Sequence, residues 1–343
     1  MWTLSRRGLL VATGAGLLPT TGARANLADL EAEARKEATV TWYIAQFDSE
    51  TAERMGRAFS ARYPGIRVSV IRTTGQVAYE RLLQDMKNNA PQCDVFSSTD
   101  IAQYPALKAR GALAVYRPTG ADGLMPAFQA VADPGYFYPS TAISHMIIYN
   151  SQKVAAADAP KSWLDLLDPK WKGRIATGHP AFSGCTGVWV VALKKLYGWE
   201  YFEKLAKNNP RIGRSGNDPV TLVNAGEALV GPAPGSTTFQ QVDKGNPIAP
   251  VYPTDGTGLC IGPVAIMANA PHPNAARLFM EWLLGEEFAK FATALHGDPV
   301  RPGMTLTSGQ RSLETVKLLT ASVAEIAKGI PEVVEQWRET FGN

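Results

Sequence analysis

The chain has 343 residues, of which 45% are apolar and 19% charged, so it is not a disordered chain and has room for about two domains. Lys and Arg number 34 against 31 Asp and Glu, and the excess of three equals Arg6, Arg7 and Arg24, which stand in an acid-free stretch over residues 1–25. The rest of the chain is neutral in sum, which excludes recognition of a nucleic acid or an anionic membrane by bulk charge.

The N-terminal segment has the pattern of an export signal. Arg6-Arg7 is followed by an apolar stretch over residues 8–18, and residues 23–25 read Ala-Arg-Ala, a small-x-small cleavage pattern. The apolar stretch is shorter than the roughly 20 residues that span a bilayer. We expect a twin-arginine signal over residues 1–25, or an ordinary Sec signal as the alternative, and a mature periplasmic chain that begins near Asn26.

Strand and helix patterns alternate after this segment. We predict strands over residues 38–45, 66–72, 94–96, 142–149, 174–176, 227–230 and 262–267. We predict helices over residues 27–36, 50–63, 77–88, 162–167, 186–197, 199–208, 274–284 and 286–294, a helix after residues 97–100, and a helical stretch over residues 312–341 broken at residues 329–331. This alternation predicts an α/β fold with a largely parallel sheet.

Small hydroxyl and glycine residues follow three of the predicted strands and precede helices. They are Ser49 in the first segment, Ser97, Ser98 and Thr99 in the second, and Ser183, Gly184, Cys185, Thr186 and Gly187 in the third. Ligands of open α/β sheets bind beyond the carboxyl ends of strands, where helix N-termini can hold an anion. Ordinary helix capping is the alternative in each case. The third segment is the most specific, because its small residues allow several backbone N–H groups to converge.

Two polar, turn-rich loops add candidate ligand contacts. Arg214 and Asn217 lie in the first, and we expect Arg214 to pair with an anion, or otherwise to be a solvated loop arginine. Tyr252 and Asp255 lie in the second, where Asp255 is expected to accept a ligand ammonium group or only to stabilise its turn.

Signatures of catalysis are weak. The sequence has no G-x-S-x-G elbow, no H-E-x-x-H motif and no G-x-G-x-x-G after a strand. Cys185 with nearby His179 is a candidate nucleophile, but one short loop rarely forms a Cys–His pair. Cys93, Cys185 and Cys260 match no zinc spacing, and we expect three separate packed cysteines, with one disulfide as the alternative. We therefore predict no enzyme, no cofactor and no metal.

Four segments carry a family resemblance: residues 63–68 (YPGIRV), 94–98 (DVFSS), 160–175 (PKSWLDLLDPKWKGRI) and 270–279 (APHPNAARLF). Together they resemble bacterial solute-binding proteins of ABC importers, over most of residues 38–300, in the branch that includes ferric-iron and 2-aminoethylphosphonate binders. The resemblance implies an α/β fold with two interwoven lobes of the type II-like class, a ligand cleft between them, and closure about a hinge. It also implies an inner-membrane permease and a cytoplasmic ATPase as partners.

The expected lobe boundaries follow from the resemblance. Residues 26–144 with 262–303 form the first lobe, and residues 145–261 with 304–343 form the second. We expect a monomer with a small-molecule anionic ligand and no nucleic-acid partner.

The ferric branch of the family typically binds its metal through two adjacent tyrosines, often with a histidine and a carboxylate. Residues 231–238, where the resemblance places the tyrosines, contain none; Phe47 stands where a histidine often lies, and Thr99 where a glutamate often lies. Our first hypothesis is therefore a small organic anion (a phosphonate, phosphate ester or carboxylate), with an amine met by Asp255 and a carbon skeleton packed on Phe47 and Tyr252. Ferric iron and a periplasmic hydrolase remain the alternatives.

Overall fold

A computed structural model describes residues 27–342, so the predicted export signal over residues 1–25 lies outside the described residues. Within them the strands are β1 (Thr39–Ile44), β2 (Arg67–Arg72), β3 (Val95–Ser97), β4 (Tyr138–Asn150), β5 (Ala176–Gly178), β6 (Arg211–Gly213), β7 (Val230–Pro234), β8 (Ile248–Val251), β9 (Thr257–Ile266) and β10 (Leu318–Leu319). The α-helices are α1 (Leu27–Glu37), α2 (Ser49–Arg62), α3 (Gly75–Lys87), α4 (Gln103–Ala109), α5 (Pro126–Gln129), α6 (Gly184–Tyr197), α7 (Glu200–Lys207), α8 (Asp218–Asn224), α9 (Gly235–Asp243), α10 (Pro273–Leu283), α11 (Glu286–Ala294) and α12 (Val323–Phe341).

The main sheet is mixed, which corrects the expectation of a largely parallel one. Its order is β2-β1-β3-β9-β4-β7, with β8 paired to β4 and β10 to β9, while β5 and β6 form a separate parallel pair. β1 runs parallel to β2 and β3, but β9 runs antiparallel to β3 and β4, and β4 antiparallel to β7 and β8. The parallel pairs of β1, β2 and β3 alternate with helices near the N-terminus, the short β10 runs parallel to β9, and the antiparallel pairs involve the two longest strands.

Those two long strands, β4 and β9, connect the two lobes. The C-terminal end of β9 pairs with β3, and the C-terminal half of β4 pairs with β7 and β8. Between these ends β4 and β9 pair with each other from Tyr138 to His145. At roughly 3.3 Å per residue, the 13 residues of β4 are long enough to run through both lobes. The chain therefore has two lobes with shared strands, and the cleft lies where these strands cross.

Each lobe has an aromatic core. In the first lobe Phe279 lies edge-on to Trp42 and Phe59, with ring centroids 5.1 and 4.9 Å apart. In the second lobe Trp189 packs against Trp163 and Phe202, at 5.3 and 5.8 Å, and Trp337 of α12 adds to the same group. These rings are almost fully buried, so each lobe has an aromatic core of its own.

Several predicted elements differ from the structure. The strand predicted over residues 174–176 is Ala176–Gly178, and the helix predicted over residues 162–167 is a 3-10 helix over Trp163–Leu167. α12 is continuous through Pro331 and begins at Val323 with a capping box of Ser322 and Glu325, so the predicted helix over residues 312–341 with a break at 329–331 is wrong. The apolar face of Ile326, Ile330, Val333 and Trp337 continues on both sides of the proline and packs against α6 and α7, which offsets the roughly 3 kcal/mol that an interior proline costs.

The strand predicted over residues 227–230 instead runs over Val230–Pro234, and α8 and α9 on either side of it were not predicted. Proline discourages a strand prediction, yet β7 forms a ladder with β4 on one side and only the single bridge of Val230 with Ile175 on the other, so its prolines interrupt no second ladder. Among residues 27–342 no helix has both the length and the apolar character that a membrane span requires.

Candidate functional site

A cavity lies between the two lobes. Its walls come from the ends of strands in both lobes and from the loops that follow them. They consist of Ala45, Gln46, Arg72, Thr74, Gly75, Thr99, Ile143, Ser183, Cys185, Ser215, Gly216, Asn217 and Pro234. This is the position at which open α/β sheets bind their ligands.

Three helices of eight or more residues begin at this cavity. Thr74 precedes α3, Ser183 precedes α6 and Pro234 precedes α9, and all three N-cap residues line the cavity. Ser183 Oγ accepts a hydrogen bond from the Thr186 N–H at 3.3 Å, whereas Thr74 and Pro234 make no side-chain capping bond. The first N–H groups of a helix lack partners within the helix and carry a partial positive charge. The cavity therefore offers several backbone donors to an anion.

Arg72, the last residue of β2, adds a cation to the same walls. Its Nε donates to the Phe47 carbonyl oxygen at 2.7 Å, and the described residues give its guanidinium no ion pair. Burial lowers the pKa of Arg72 from its usual value, and the charges of Asp48 and Asp218 act in the opposite direction. An arginine stays protonated under such conditions, so the cavity holds a partly desolvated positive charge that an anionic ligand would neutralise.

No acidic side chain occurs among the described residues that line the cavity. The two carboxylates whose charges act on Arg72 each accept a backbone hydrogen bond. Asp48 accepts from the Thr51 N–H at 2.9 Å, and Asp218 accepts from the Ser215 N–H at 2.9 Å. Arg72 is therefore the one charged side chain among the described wall residues, while the carboxylates of Asp48 and Asp218 lie close enough for their charges to act on it.

Residues 43–290 match the family of bacterial extracellular solute-binding proteins. The chain belongs to this family. It is 26% identical over 317 residues, 87% of both chains, to the putative 2-aminoethylphosphonate-binding periplasmic protein of Salmonella paratyphi A. Its fold is similar to that of the periplasmic binding protein AfuA from Actinobacillus pleuropneumoniae with exogenous fructose-6-phosphate bound (TM-score 0.79, 21% identity, 89% of this chain and 98% of that one). It is also similar to iron-bound HitA from Pseudomonas aeruginosa (TM-score 0.74, 22% identity, 88% and 99%).

These findings confirm the family resemblance, the two-lobed fold and the function of a periplasmic solute-binding component of an ABC importer. The family consists of non-enzymatic binding proteins whose partners are a small solute and a membrane permease.

The lobes of this solute-binding protein touch where α6 begins. Gly184 lies against the loop after β3, so closely that a Cβ atom at this position would be 2.5 Å from the carbonyl carbon and oxygen of Thr99 and 2.7 Å from the Asp100 nitrogen. Cys260 Sγ lies 3.3 Å from the same Thr99 oxygen. The two helix-start loops are thus in direct contact, and this contact defines the closed arrangement of the lobes.

The cysteine expectation is wrong for two residues. Cys185 and Cys260 form a disulfide that ties the first turn of α6 to β9, and Cys93 is free and buried. The spacing of 75 residues between the pair gave no signal in the sequence. Because Cys185 is engaged in this bond, the structure also removes it as the nucleophile of a hydrolase.

Four of the predicted ligand residues line the cavity: Thr99, Ser183, Cys185 and Asn217. Thr186 lies beside it, because its buried Oγ1, which has no partner among the described residues, is 3.5 Å from where a Cβ of the wall residue Gly216 would stand. Gly187 is turned away from the cavity toward Ile330 of α12.

The predicted residues around β1 and β3 have structural positions. Ser97 Oγ accepts from Trp42 Nε1 at 2.8 Å, and Ser98 Oγ donates to Gln103 Oε1 at 2.6 Å. Phe47 is buried in the core of the first lobe, and Ser49 is an exposed residue at the start of α2. The structure does not place these four side chains in the cavity walls.

The remaining candidates also lie outside the walls. Arg214 is exposed and stacks over the Phe182 ring, with its guanidinium carbon 4.6 Å from the centroid. The hydroxyl of Tyr252 accepts from the Arg311 N–H at 3.0 Å. Asp255 Oδ2 accepts from the Trp163 N–H and from the Tyr197 hydroxyl, both at 2.8 Å. The structure therefore gives no support to an amine held by Asp255 or a skeleton packed on Phe47 and Tyr252.

Sequence reasoning missed Arg72 and Thr74, and it included Gln46 in the first strand-end segment without choosing it as a ligand residue. Gln46 follows β1, and Arg72 and Thr74 stand at and just beyond the end of β2. The rule that ligands bind beyond strand ends pointed to these positions, but their residues carry no glycine-rich or hydroxyl-rich run. Among the residues that the structure describes, no group of three His, Cys, Asp or Glu side chains could hold a metal ion.

Proposed function

We propose that this binding protein captures a small organic anion, namely a phosphonate, phosphate ester or carboxylate, in the interlobe cavity and presents it to a membrane permease. The observation that carries the proposal is Arg72, a cation with no ion-pair partner among the described residues, placed in one cavity with the starts of α3, α6 and α9. A charge-assisted hydrogen bond from Arg72 would neutralise the ligand, and the helix starts would fix its oxygens.

The named ligands of similar proteins support the anionic class. The Salmonella relative is named for 2-aminoethylphosphonate and the Actinobacillus structure holds fructose-6-phosphate. The HitA structure holds iron, but Fe(III) requires anionic oxygen ligands, which the described cavity walls do not supply. Ferric iron therefore stays second to an organic anion.

Three further parts of the proposal concern the molecule as a whole. The ligand is bound and released without turnover, because the one candidate nucleophile is engaged in a disulfide. The protein works as a monomer, because one chain supplies both cavity walls. The lobes divide at residues 144–145, 261–262 and 303–304, and support for the first two divisions comes from the pairing of β4 with β9 around Ile143 and Cys260.

Isothermal titration calorimetry of the mature chain tests this function. We expect heat of binding with small phosphonates, phosphate esters or carboxylates and a rise in melting temperature with ligand concentration. Absence of binding to every member of such a panel, or tight binding of Fe(III) with a coloured charge-transfer band, would contradict it.

A further inference from the structure

Gln46 is the most constrained polar side chain in the cavity wall. It is 6% exposed, and its Nε2 donates to two backbone carbonyl oxygens, those of Ser98 at 3.1 Å and Pro263 at 3.0 Å. Its Oε1 has no hydrogen-bond donor among the described residues. Because both neighbours of the nitrogen are acceptors, exchanging the amide oxygen and nitrogen would place two acceptors against a third, so the orientation of the amide is fixed.

Gly262 keeps this orientation in place. A Cβ atom on residue 262 would lie 2.7 Å from Gln46 Nε2, so the amide packs directly on the glycine backbone of β9. The side chain cannot turn its nitrogen toward the cavity without losing both carbonyl partners. Gln46 is therefore a wall residue with a buried acceptor that lacks a donor among the described residues, in a cavity to which Arg72 and the helix starts contribute donors.

We infer that Gln46 selects ligands that carry a hydroxyl group next to the anionic head, so that the ligand class is a hydroxylated organic phosphonate or phosphate. This inference rests on the proposed anion-binding function. A fully deprotonated oxyanion satisfies the donors of the cavity but leaves Gln46 Oε1 unmatched. A hydroxyl supplies that donor without adding charge, whereas an ammonium group would stand near Arg72 with no described carboxylate in the walls to balance it.

The second unmatched wall atom, Thr74 Oγ1, does not impose this choice. A hydroxyl donates or accepts, so Thr74 can pair with any oxyanion. This difference makes Thr74→Val a matched control, because it removes a cavity hydrogen bond that is not selective for a donor on the ligand.

Three phosphonates of equal heavy-atom count test the inference: ethylphosphonate, hydroxymethylphosphonate and aminomethylphosphonate. Calorimetry on the unaltered protein should show hydroxymethylphosphonate binding about tenfold more tightly than ethylphosphonate, because the methyl group leaves a buried acceptor unpaired. Aminomethylphosphonate should bind more weakly than the hydroxyl compound. In Gln46→Met the preference for hydroxyl over methyl should fall to within about twofold, and in Thr74→Val it should persist.

The outcomes separate the two claims. Equal binding of the hydroxyl and methyl compounds would overturn the role of Gln46 and leave the anion site intact. That result is expected if Gln46 Oε1 accepts only from a protonated phosphonate oxygen, which all three compounds share. Tighter binding of the ammonium compound than of the hydroxyl compound would also overturn it. Binding of none of the three would contradict the phosphonate part of the proposed function itself. The ligand series on the unaltered protein decides the matter even if Gln46→Met does not fold.

Discussion

Gly184 at the start of α6 lies in contact with the backbone of Thr99 after β3, at a distance that leaves no room for a side chain. The two residues belong to the helix-start loops of opposite lobes, and both loops line or border the cavity. Because a side chain at position 184 would not fit against Thr99, the two lobes can reach this closed arrangement only with glycine at that position.

Replacing Gly184 by alanine should therefore hold the lobes apart. A methyl group would clash with the Thr99 carbonyl in the closed arrangement but not once the lobes separate, and alanine itself favours a helix. We expect Gly184→Ala to bind its anion at least tenfold more weakly, to contract less on ligand addition in small-angle scattering, and to melt near the wild-type temperature without ligand.

The matched control for that variant is Gly187→Ala in the first turn of the same helix. A Cβ there would meet the flexible end of Ile330, at 3.0 Å from its Cδ1, rather than the opposite lobe. If both variants lose affinity equally, the effect comes from α6 and not from the contact with Thr99.

The Cys185–Cys260 disulfide should contribute to both stability and affinity. It closes a loop with a sequence separation of 75 residues, for which restriction of the unfolded chain gives about 4 kcal/mol. It also holds the first turn of α6, which begins at the cavity, against β9. We expect reductant to lower the urea midpoint of the wild type and to weaken anion binding severalfold.

The control for the disulfide is Cys93→Ala, which removes the free buried thiol and leaves the bonded pair. Its response to reductant should equal that of the wild type, and the double variant Cys185→Ser/Cys260→Ser should show none. A wild-type midpoint that does not move on verified reduction would contradict the stabilising role.

His145 in β4 should make the protein less stable in acid. Burial lowers its pKa to about 3, and neither ring nitrogen has a hydrogen-bond partner among the described residues. In the unfolded chain the pKa is about 6.5, so below that pH the unfolded state binds more protons and the folded state loses stability. Between pH 7 and pH 5 this amounts to about 2 kcal/mol.

The variant His145→Phe isolates this effect. It keeps a ring against Trp189, whose centroid lies 5.6 Å from that of His145, and removes the titrating group. The difference in unfolding free energy between wild type and variant, measured by urea denaturation across this pH range, should move by about 2 kcal/mol in favour of the variant toward acid. A constant difference would show that His145 is protonated in the folded protein or does not titrate in the unfolded one.

Local sequence signals predicted most elements closely. The strand expected over residues 38–45 is Thr39–Ile44, and the helix expected over residues 286–294 is Glu286–Ala294. Caps, apolar periodicity and proline stops act over a few residues, so they can be read without tertiary information. The path of α12 through Pro331 depends instead on packing against α6, and the prolines of β7 depend on a strand edge that forms only the single bridge of Val230 with Ile175.

The site was predictable only in part, for the same reason. Ser183 and Thr99 follow strands in polar loops of small residues, and this pattern can be recognised in the sequence alone. Arg72 reads as the end of an ordinary strand, and Arg214 reads as a more accessible cation in a glycine-containing loop. Which of the two faces the ligand is decided by how the lobes close, and a single sequence does not report that geometry.

The comparison of Arg72→Gln with Arg214→Gln tests the central claim most directly. Both variants remove one positive charge, but only Arg72 lines the cavity. Calorimetry with a phosphonate or phosphate ester that binds the wild type should show a loss of about 10- to 100-fold for Arg72→Gln, as expected for a charge-assisted hydrogen bond. Arg214→Gln should stay within about twofold of the wild type. Unchanged affinity in a folded Arg72→Gln variant, or an equal loss in Arg214→Gln, would contradict the assignment of this cavity as the anion site.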